Sequence, residues 1–391
     1  MDNVPRDIRS RVALQQPQWG DEALLRRVRD DLASRPAVVT TADVRTLRSH
    51  LAQVASGQAQ VIQAGDCAED PAECGRGHVT RKSAVLDLMA SAMKMASPKP
   101  VVRVGRIAGQ FAKPRSNPTE WVGGTELPVY RGHMVNGPEP DPDSRRPDPR
   151  RLLLCYQAAR DAVNNLDWYL PTERTRIESP VWTSHEALVL DYELPLLRRD
   201  PSDQLVLTST HWPWIGERTR QPDGAHVTLL SRVVNPVSCK VGPSMTPEAL
   251  LRLCEILDPA RRPGRLTLIA RMGESLVEDR LPPLVEAVRA AGHPVIWISD
   301  PMHGNTVTAG VDGLKTRYVS TIQRELLGFQ AAVRAGGGVV GGVHLETTPD
   351  EVTECVHDAS ASHSVGDKYT TFCDPRLTPR QAVDVLSVWT G

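Results

Sequence analysis

The sequence predicts an α/β fold, a (β/α)8 TIM barrel in which eight parallel strands alternate with helices. Short apolar runs rich in β-branched residues, bounded by Gly or Pro, recur along the chain as expected of buried parallel strands. Helical patterns fill most of the gaps, which is the alternation that a parallel sheet requires. The 391 residues exceed the roughly 250 of a typical barrel, so we expect an N-terminal helical extension at 1–57 and the barrel at 58–391.

The first elements of the chain are predicted to be helices. Apolar residues at helical spacing predict helices over 21–32 and 41–55, with Thr41 and Asp43 suited to cap and charge the start of the second. Eight strands are predicted to follow, which is the number that a closed barrel needs. Their predicted ranges are 59–64, 101–106, 205–210, 234–241, 266–271, 294–299, 339–345 and 369–373.

Three later helices are predicted to begin alike, each with an N-cap threonine and a proline at the first helical position. They start at Thr246-Pro247, Thr348-Pro349 and Thr378-Pro379, and the last two also match a capping box. Another helix is predicted over 282–291, ending at Gly292 ahead of the next strand.

Composition excludes several classes of protein. The net charge of -1 gives no overall field that would attract nucleic acid or an anionic membrane, so an anionic ligand must meet a local cluster. No run reaches the roughly 18 apolar residues of a membrane span, and residues 1–11 lack the apolar core of a signal peptide, so we expect a cytoplasmic protein. Seven cysteines without a close C-x-x-C pair argue against a disulfide scaffold or a zinc ribbon.

Four candidate metal ligands lie at or just beyond the ends of predicted strands, where barrel enzymes place their chemistry. They are Cys67, His303, Glu346 and Asp374. A thiolate and an imidazole with two carboxylates suit Mn, Co, Fe or Zn better than Mg or Ca. Taken singly, each residue also fits a structural role as a buried thiol, a hydrogen-bonded histidine or a salt-bridge partner. Their shared position favours a metal site.

Charged residues share the same placement. They are Arg106, Glu217, Arg218, Arg220, Lys240 and Arg271, each at or after a predicted strand end. Cations converging on one barrel mouth repel one another unless an anion binds there. Arginine forks and a lysine suit a ligand that carries phosphate and carboxylate groups. Surface charge is the alternative, but Lys240 and Arg271 lie in strongly apolar runs. By contrast, the Gly-rich 336–341 precedes a strand, which disfavours nucleotide binding.

Long motifs resemble those of the type II 3-deoxy-D-arabino-heptulosonate 7-phosphate (DAHP) synthases. The resemblance runs from about residue 20 to the C-terminus. It is carried by Gln63–Glu69, Arg106–Ser116, Ser184–Leu188, Trp214–Arg220, Asn235–Val237 with Lys240–Pro243, Asp300–Asn305 and Cys373–Leu377.

The resemblance implies a condensation of phosphoenolpyruvate with erythrose 4-phosphate, in the first step of the shikimate route, with one divalent metal ion, Mn²⁺ or Co²⁺. It implies that Cys67, His303, Glu346 and Asp374 hold the metal. The residues it places around the substrates are Arg106, Glu186, Glu217, Arg218, Lys240 and Arg271, with Lys113, Arg115 and Ser116 facing the sugar phosphate. Of these, Lys113, Glu217, Arg218, Lys240 and Arg271 are the expected catalytic residues, and Lys113 or a metal-linked water is the expected proton donor.

Departures from the family pattern lead to further expectations. His133 stands where the family usually has aspartate, beside the expected mouth. The stretch between Ala162 and Ser184 is too short for the helical pair associated with aromatic amino-acid feedback, so we expect weak inhibition and a role in secondary metabolism. Cys373 adjoins Asp374, so it could form a disulfide with Cys67 under oxidising conditions.

Two alternative functions stay open at this point. One is a sister aldol enzyme that accepts an amino or otherwise modified tetrose phosphate, with changes between Lys113 and His133. The other is a non-catalytic metal- or phosphate-binding regulator, which predicts a lost ligand or cation. The resemblance and the exposed barrel helices also lead us to expect a homo-oligomer.

Overall fold

The computed structural model of the protein describes residues 4–168, 180–309 and 313–391. The α-helices are α1 Val4–Arg9, α2 Glu22–Ser34, α3 Thr41–Ala55, α4 Arg76–Ala96, α5 Arg150–Asn165, α6 Leu190–Glu193, α7 Ala225–Arg232, α8 Pro247–Leu257, α9 Val277–Ala290, α10 Val319–Ala335 and α11 Pro379–Leu386. The strands are β1 Gln60–Gly65, β2 Val101–Arg106, β3 Thr119–Val122, β4 Thr125–Pro128, β5 Trp182–Glu186, β6 Leu197–Arg199, β7 Leu205–Leu207, β8 Trp212–Ile215, β9 Val237–Val241, β10 Leu266–Ala270, β11 Ile296–Ser299, β12 Val307–Ala309, β13 Leu314–Thr316 and β14 Val340–Glu346.

Eight parallel strands close into a barrel in the order β1-β2-β5-β8-β9-β10-β11-β14, with β14 returning to β1. Helices surround it, so the predicted (β/α)8 TIM barrel is confirmed. The register aligns Gly65 of β1 with Arg106 of β2 on one side and with Glu346 of β14 on the other. The barrel itself therefore brings a cation and a carboxylate to the same level at the carboxyl ends of neighbouring strands.

Two of the eight predicted strands are not barrel strands. The range 205–210 contains β7, which pairs antiparallel with β6 outside the barrel, and 369–373 forms no strand. Their places are taken by β5 and β8. These strands were missed because β5 is largely polar and β8 contains Pro213. Inside the barrel, Ser184 accepts a hydrogen bond from Gln63 (2.7 Å) and donates one to the carbonyl of Trp212. The buried hydroxyl of this polar strand therefore has its hydrogen-bond partners.

The predicted helices are largely observed, with three corrections. Helix α9, predicted over 282–291, begins earlier, at Val277, and has Pro282 and Pro283 inside it. Helix α3 begins at Thr41, but its N-cap is Thr40, which forms a capping box with Asp43. Helices α8 and α11 begin at their Thr-Pro pairs. The helix predicted at Thr348-Pro349 is absent: the segment is irregular, and its Glu354 forms a buried ion pair with Arg376 (2.8 Å).

Helix α3 covers the amino-terminal end of the barrel. Its Leu47, Leu51 and Val54 belong to one buried cluster with Val61 and Ile296, which lie at or near the starts of their strands. The opposite end of the barrel stays available for chemistry. The boundary proposed at residue 57 stays a prediction. No helix among the described residues is long and apolar enough to cross a membrane.

Candidate active site

A cavity of about 320 Å³ opens at the carboxyl ends of the barrel strands. Among the described residues, eight cationic side chains line it against three carboxylates. The cations are Arg106, Lys113, Arg115, Arg218, Lys240, Arg271, Lys315 and Arg317, and the carboxylates are Glu186, Glu217 and Asp374. Ser116 and His303 also line the cavity, so most of the sequence-predicted site residues converge here. Cys67 and Glu346 lie buried just behind its wall.

Three of the four predicted metal ligands form one group. Single donor atoms of His303, Glu346 and Asp374 all lie within 4.8 Å of one another. The Nε2 atom of His303 is 3.3 Å from Oε1 of Glu346. Burial opposes ionisation of Glu346, but His303 and the surrounding cations hold the pKa of its carboxyl well below the usual range. The group therefore presents a charged carboxylate in a dry setting.

The ammonium group of Lys113 lies next to the carboxylates of this group. Its Nζ atom lies 3.2 Å from Oε1 of Glu346 and 3.3 Å from Oδ2 of Asp374. Burial lowers the pKa of Lys113, but the two carboxylates more than offset that effect and raise the pKa above its usual value. Because two carboxylates already hold a positive charge and an imidazole lies beside them, their donor set and spacing fit a divalent metal ion.

Cys67 lies beside this group without joining it. Its Sγ atom accepts a hydrogen bond from the backbone N–H of Asp374 (3.4 Å) and lies 3.3 Å from the hydroxyl of Thr371. Burial raises the pKa of the Cys67 thiol, but a hydrogen bond from Cys373 and the charge of Lys113 bring it down to about 6. The thiolate form, which is the form that binds metals, is therefore favoured. Cys67 and Cys373 are both free thiols in the structure.

Asp300 joins the metal-ligand group to the cationic cavity, and the sequence pattern gave it no role. Its Oδ2 atom lies 2.5 Å from Nζ of Lys240 and 2.8 Å from Nδ1 of His303. A carboxylate on Nδ1 orients the imidazole so that Nε2 faces Glu346. Burial raises the pKa of Asp300, but His303 and Lys240 bring it well below the usual range.

The two cations on β9 and after β10 approach the cavity from the same side. Burial lowers the pKa of Lys240 to about 8, and the charges of Arg106 and Arg271 act in the same direction, against Asp300. Arg271 donates to the backbone carbonyl of His303 (3.0 Å). Lys240, Arg106 and Arg271 lie close together, and Asp300 offsets only part of their positive charge. The cavity can therefore attract an anion.

Arg106 holds the floor of the site. Its guanidinium donates to Oε1 of Glu346 (3.0 Å) and to the carbonyls of Asp66 and Cys67, and lies 2.8 Å from Nε2 of His344. Gly65, at φ +149°, allows this packing, since a Cβ atom there would lie 2.7 Å from the Arg106 carbonyl.

Arg317 and Lys315 were missed by sequence reasoning. The buried Arg317 donates to Oε2 of Glu346 (2.8 Å), and Lys315 lies 3.0 Å from Oδ1 of Asp374. Both lie in or just after β13, the second strand of a hairpin outside the barrel. No strand-end signal marks them, so only their contacts reveal them.

Two carboxylates at the cavity have buried oxygens without partners. Among the described residues, Oε1 of Glu186 and Oε2 of Glu217 make no hydrogen bond. Burial raises the pKa of Glu186. Gly216 leaves room for this carboxylate, because a Cβ atom there would lie 2.0 Å from Oε1 and would force the Glu186 side chain to move. A buried oxygen without a partner indicates a water or a ligand group that completes it.

Arg115, Ser116 and Arg218 form a part of the cavity wall that we call the rim. Arg218 donates to the Ser116 hydroxyl (2.6 Å), while Arg115 pairs with Glu120 (3.1 Å) and contacts the sulfur of Cys373 (3.6 Å). All three side chains line the cavity, and these contacts hold them in place there.

Buried carboxylates hold the loops that carry these groups. Glu69 accepts the backbone N–H groups of Ala108, Gly109 and Gln110 at 2.7–3.0 Å. Ala108 has φ +67°, a conformation that a non-glycine residue adopts only when its surroundings fix it. This contact fixes the start of the loop that leads to Lys113.

The loop before Asp374 is held differently. Arg376 pairs with Glu354 and with Asp66 (2.8 Å each), and Phe372 packs edge-on against His133 (5.0 Å between ring centres). His133, the departure from the family motif, also contacts the hydroxyl of Tyr130 (2.7 Å). Asp374 thus reaches the site from a braced loop.

Known proteins match this chain along nearly its whole length. The model of the class-II DAHP synthetase family matches residues 3–179 and 171–388. A probable phospho-2-dehydro-3-deoxyheptonate aldolase of Pseudomonas fluorescens is 55% identical, over 100% of this chain and 97% of that protein. A phospho-2-dehydro-3-deoxyheptonate aldolase of Streptomyces coelicolor is 40% identical, over 98% and 95%.

A solved structure supports the fold. The phospho-2-dehydro-3-deoxyheptonate aldolase of Francisella tularensis superposes with a TM-score of 0.54 at 12% identity, covering 96% of this chain and 100% of that one. At that identity the likeness concerns the barrel alone. The family model and the full-length relatives decide the classification, and the chain belongs to the class-II DAHP synthetase family.

Proposed function

We propose that this chain condenses phosphoenolpyruvate with erythrose 4-phosphate and water to give DAHP and phosphate. In this reaction C3 of phosphoenolpyruvate bonds to the aldehyde carbon, water adds at C2, and the C2–O bond to phosphate breaks. One observation carries the proposal: a strongly cationic cavity adjoins a His303–Glu346–Asp374 group. The family and the names of the relatives support the same reaction.

The inner cations are assigned to phosphoenolpyruvate. Lys240, Arg271 and Arg106 line the inner part of the cavity, where a point charge and two guanidinium forks suit a phosphate and a carboxylate. Glu217 and Glu186 line the same cavity and are assigned to substrate binding. Fixed charges in a dry cavity stabilise the charge that redistributes during attack.

The rim is assigned to the sugar phosphate. Arg115, Ser116 and Arg218 form a polar and cationic edge, suited to a phosphate several bonds away from the reacting aldehyde. Lys113 stays positively charged beside Glu346 and Asp374 and is assigned to binding of the sugar phosphate. Held together, these groups set the two reactants in one geometry.

His303, Glu346 and Asp374, with the Cys67 thiolate, would hold one divalent ion, Mn²⁺ or Co²⁺. When bound, such an ion would supply Lewis-acid polarisation of the aldehyde oxygen. Asp300 keeps the His303 ring oriented, and Arg106 and Arg317 keep Glu346 ionised and in place.

The test is identification of the product. Purified protein with Mn²⁺ is given phosphoenolpyruvate with erythrose 4-phosphate, with an amino-tetrose phosphate, or with no aldehyde. Of the three reactions, we expect only the one with erythrose 4-phosphate to yield a product. Mass spectrometry should identify it as a seven-carbon sugar acid, with one phosphate released per product. A preference for the amino-tetrose would favour the sister enzyme, and no product from any aldehyde would favour the regulator.

We also propose that aromatic amino acids inhibit this enzyme weakly and that it serves secondary metabolism. The stretch between Ala162 and Ser184 supports this by its length, and residues 169–179 within it lie outside the described part of the chain. Strong inhibition by phenylalanine, tyrosine or tryptophan below millimolar concentration would contradict it. The expected cytoplasmic location and homo-oligomer stay predictions.

A further inference from the structure

Glu325 is a buried carboxylate on α10 that faces away from the cavity. It lies in the middle of the helix, is 1% exposed and is not among the residues that line the site. Its partners lie outside its own helix. Oε1 accepts the backbone N–H groups of Met272 (3.1 Å) and Gly273 (2.9 Å), and Oε2 accepts from the side-chain amide of Asn305 (2.5 Å).

Those three donors belong to two different strand-end loops. Met272 and Gly273 directly follow Arg271, at the end of β10. Asn305 follows His303 by two residues, in the loop after β11. A single carboxylate therefore connects the loop of a cavity cation with the loop of a candidate metal ligand.

Asn305 extends the connection within and between the loops. Its Nδ2 atom also donates to the carbonyl of Pro301 (2.8 Å), and its Oδ1 atom accepts the backbone N–H of Glu274 (3.0 Å). The side chain thus binds both loops and Glu325 at once. Every polar atom of the Glu325–Asn305 pair has a partner, which is the condition under which a buried polar network rigidifies its surroundings.

The two loops touch at their backbones. A Cβ atom on Gly304 would lie 2.5 Å from the backbone nitrogen of Gly273, so only glycine fits this approach. Gly273 itself has φ +86°. On the cavity side, Arg271 donates to the carbonyl of His303 (3.0 Å). The contact between the loops is therefore closed on one face by Arg271 and on the other by Glu325.

We propose that Glu325 is a positioning residue that fixes Arg271 and His303 relative to each other, and so aligns the anion-binding half of the site with the metal-binding half. It touches neither ligand. The inference rests on the proposed function, because it assigns the anion to Arg271 and the metal to His303.

The test compares E325Q and E325A with E193Q. Glutamine keeps the side chain's size and one acceptor for the two backbone N–H groups but turns an amide toward Asn305, whereas alanine removes all three contacts. Glu193 is an equally buried carboxylate, bound to His185 (2.8 Å) and Ser209 (2.6 Å), with no contact to either loop. E193Q therefore controls for the loss of any buried carboxylate.

Two binding measurements are made on folded, metal-stripped protein, below each variant's unfolding temperature. Mn²⁺ affinity is read by electron paramagnetic resonance, and phosphoenolpyruvate affinity by the change in total tryptophan fluorescence, to which Trp214 in the cavity wall contributes. We expect both affinities to fall about tenfold or more in E325A and less in E325Q, and to stay at the wild-type value in E193Q. Wild-type affinities in E325A, or equal losses in E193Q, would overturn the inference. Wild-type protein that binds neither ligand would instead overturn the proposed function.

Discussion

Nζ of Lys240 lies 2.5 Å from Oδ2 of Asp300, in a buried ion pair between β9 and the loop after β11. The same oxygen contacts Nδ1 of His303 at 2.8 Å. One carboxylate therefore serves both the cation assigned to phosphoenolpyruvate and a residue assigned to the metal. Asp300 therefore connects the anion-binding half of the site with the metal-binding half through direct side-chain contacts.

Replacing Asp300 by asparagine is expected to damage both halves. D300N removes the charge that favours the protonated form of Lys240 and replaces one of the two oxygens that contact Nδ1 of His303 with an amide donor. We expect kcat/KM for phosphoenolpyruvate to fall by about 100-fold or more, because a buried cation loses its partner. Steady-state kinetics measure this. The control is D143N, at an exposed aspartate, and kinetics in D300N equal to this control would contradict the assignment.

The affinity for phosphoenolpyruvate is expected to depend on pH through Lys240. Burial lowers the pKa of its ammonium to about 8, so the cation is present below that pH and is lost as the pH rises through it. We expect Kd for phosphoenolpyruvate to rise about tenfold per pH unit above that value. Fluorescence titration across the pH range measures it.

The matched variant for that titration is K240R. Arginine keeps its charge throughout the range, so the variant should bind more weakly at low pH but lose the inflection near pH 8. An inflection that persists unchanged in K240R would assign it to another group.

Arg317 is expected to contribute strongly to stability. Its guanidinium and the Glu346 carboxylate are 1% and 0% exposed, and R317M leaves that carboxylate with one partner fewer in a dry setting. Breaking a buried pair on one side costs about 3 kcal/mol. Urea unfolding measures the loss. R324M, at an exposed ion pair, should change the free energy of unfolding by less than about 1 kcal/mol. Equal effects in the two variants would contradict this account.

Oxidation is expected to remove a metal ligand. The Cys67 thiol, with a pKa of about 6, lies in hydrogen-bonding contact with Cys373, so a mild oxidant would convert the two thiols to a disulfide with loss of two protons and two electrons. We expect diamide to abolish Mn²⁺ binding in wild type, dithiothreitol to restore it, and C373S to resist. Unchanged metal affinity in oxidised wild type would refute the idea.

The sequence predicted most of the site because barrel strands end in it. Arg106, Lys240 and Glu346 lie at the last positions of strands or one residue before, so their apolar runs reveal them. The strand prediction was wrong before Asp374, although Asp374 itself was predicted as a site residue. Asp374 reaches the site from a coil braced by Arg376.

Other parts of the site were missed for different reasons. Arg317 follows a hairpin outside the barrel and Glu325 lies within a helix, whereas Asp300 directly follows the predicted strand 294–299 but acts through Lys240 and His303. Strands β5 and β8 were missed because β5 is polar and β8 contains Pro213. The hydrogen-bond partners of Ser184 in β5 come from other strands of the closed barrel. Such partners become visible only when the chain is folded.

The most direct measurement follows phosphoenolpyruvate consumption by chelator-stripped protein, before and after Mn²⁺ or Co²⁺ is returned, with and without erythrose 4-phosphate. The account predicts negligible turnover without metal, restored turnover with it, and dependence on the aldehyde. Full turnover after rigorous removal of metal, or none after its return, would contradict the claim that a metal-dependent condensation takes place at this barrel mouth.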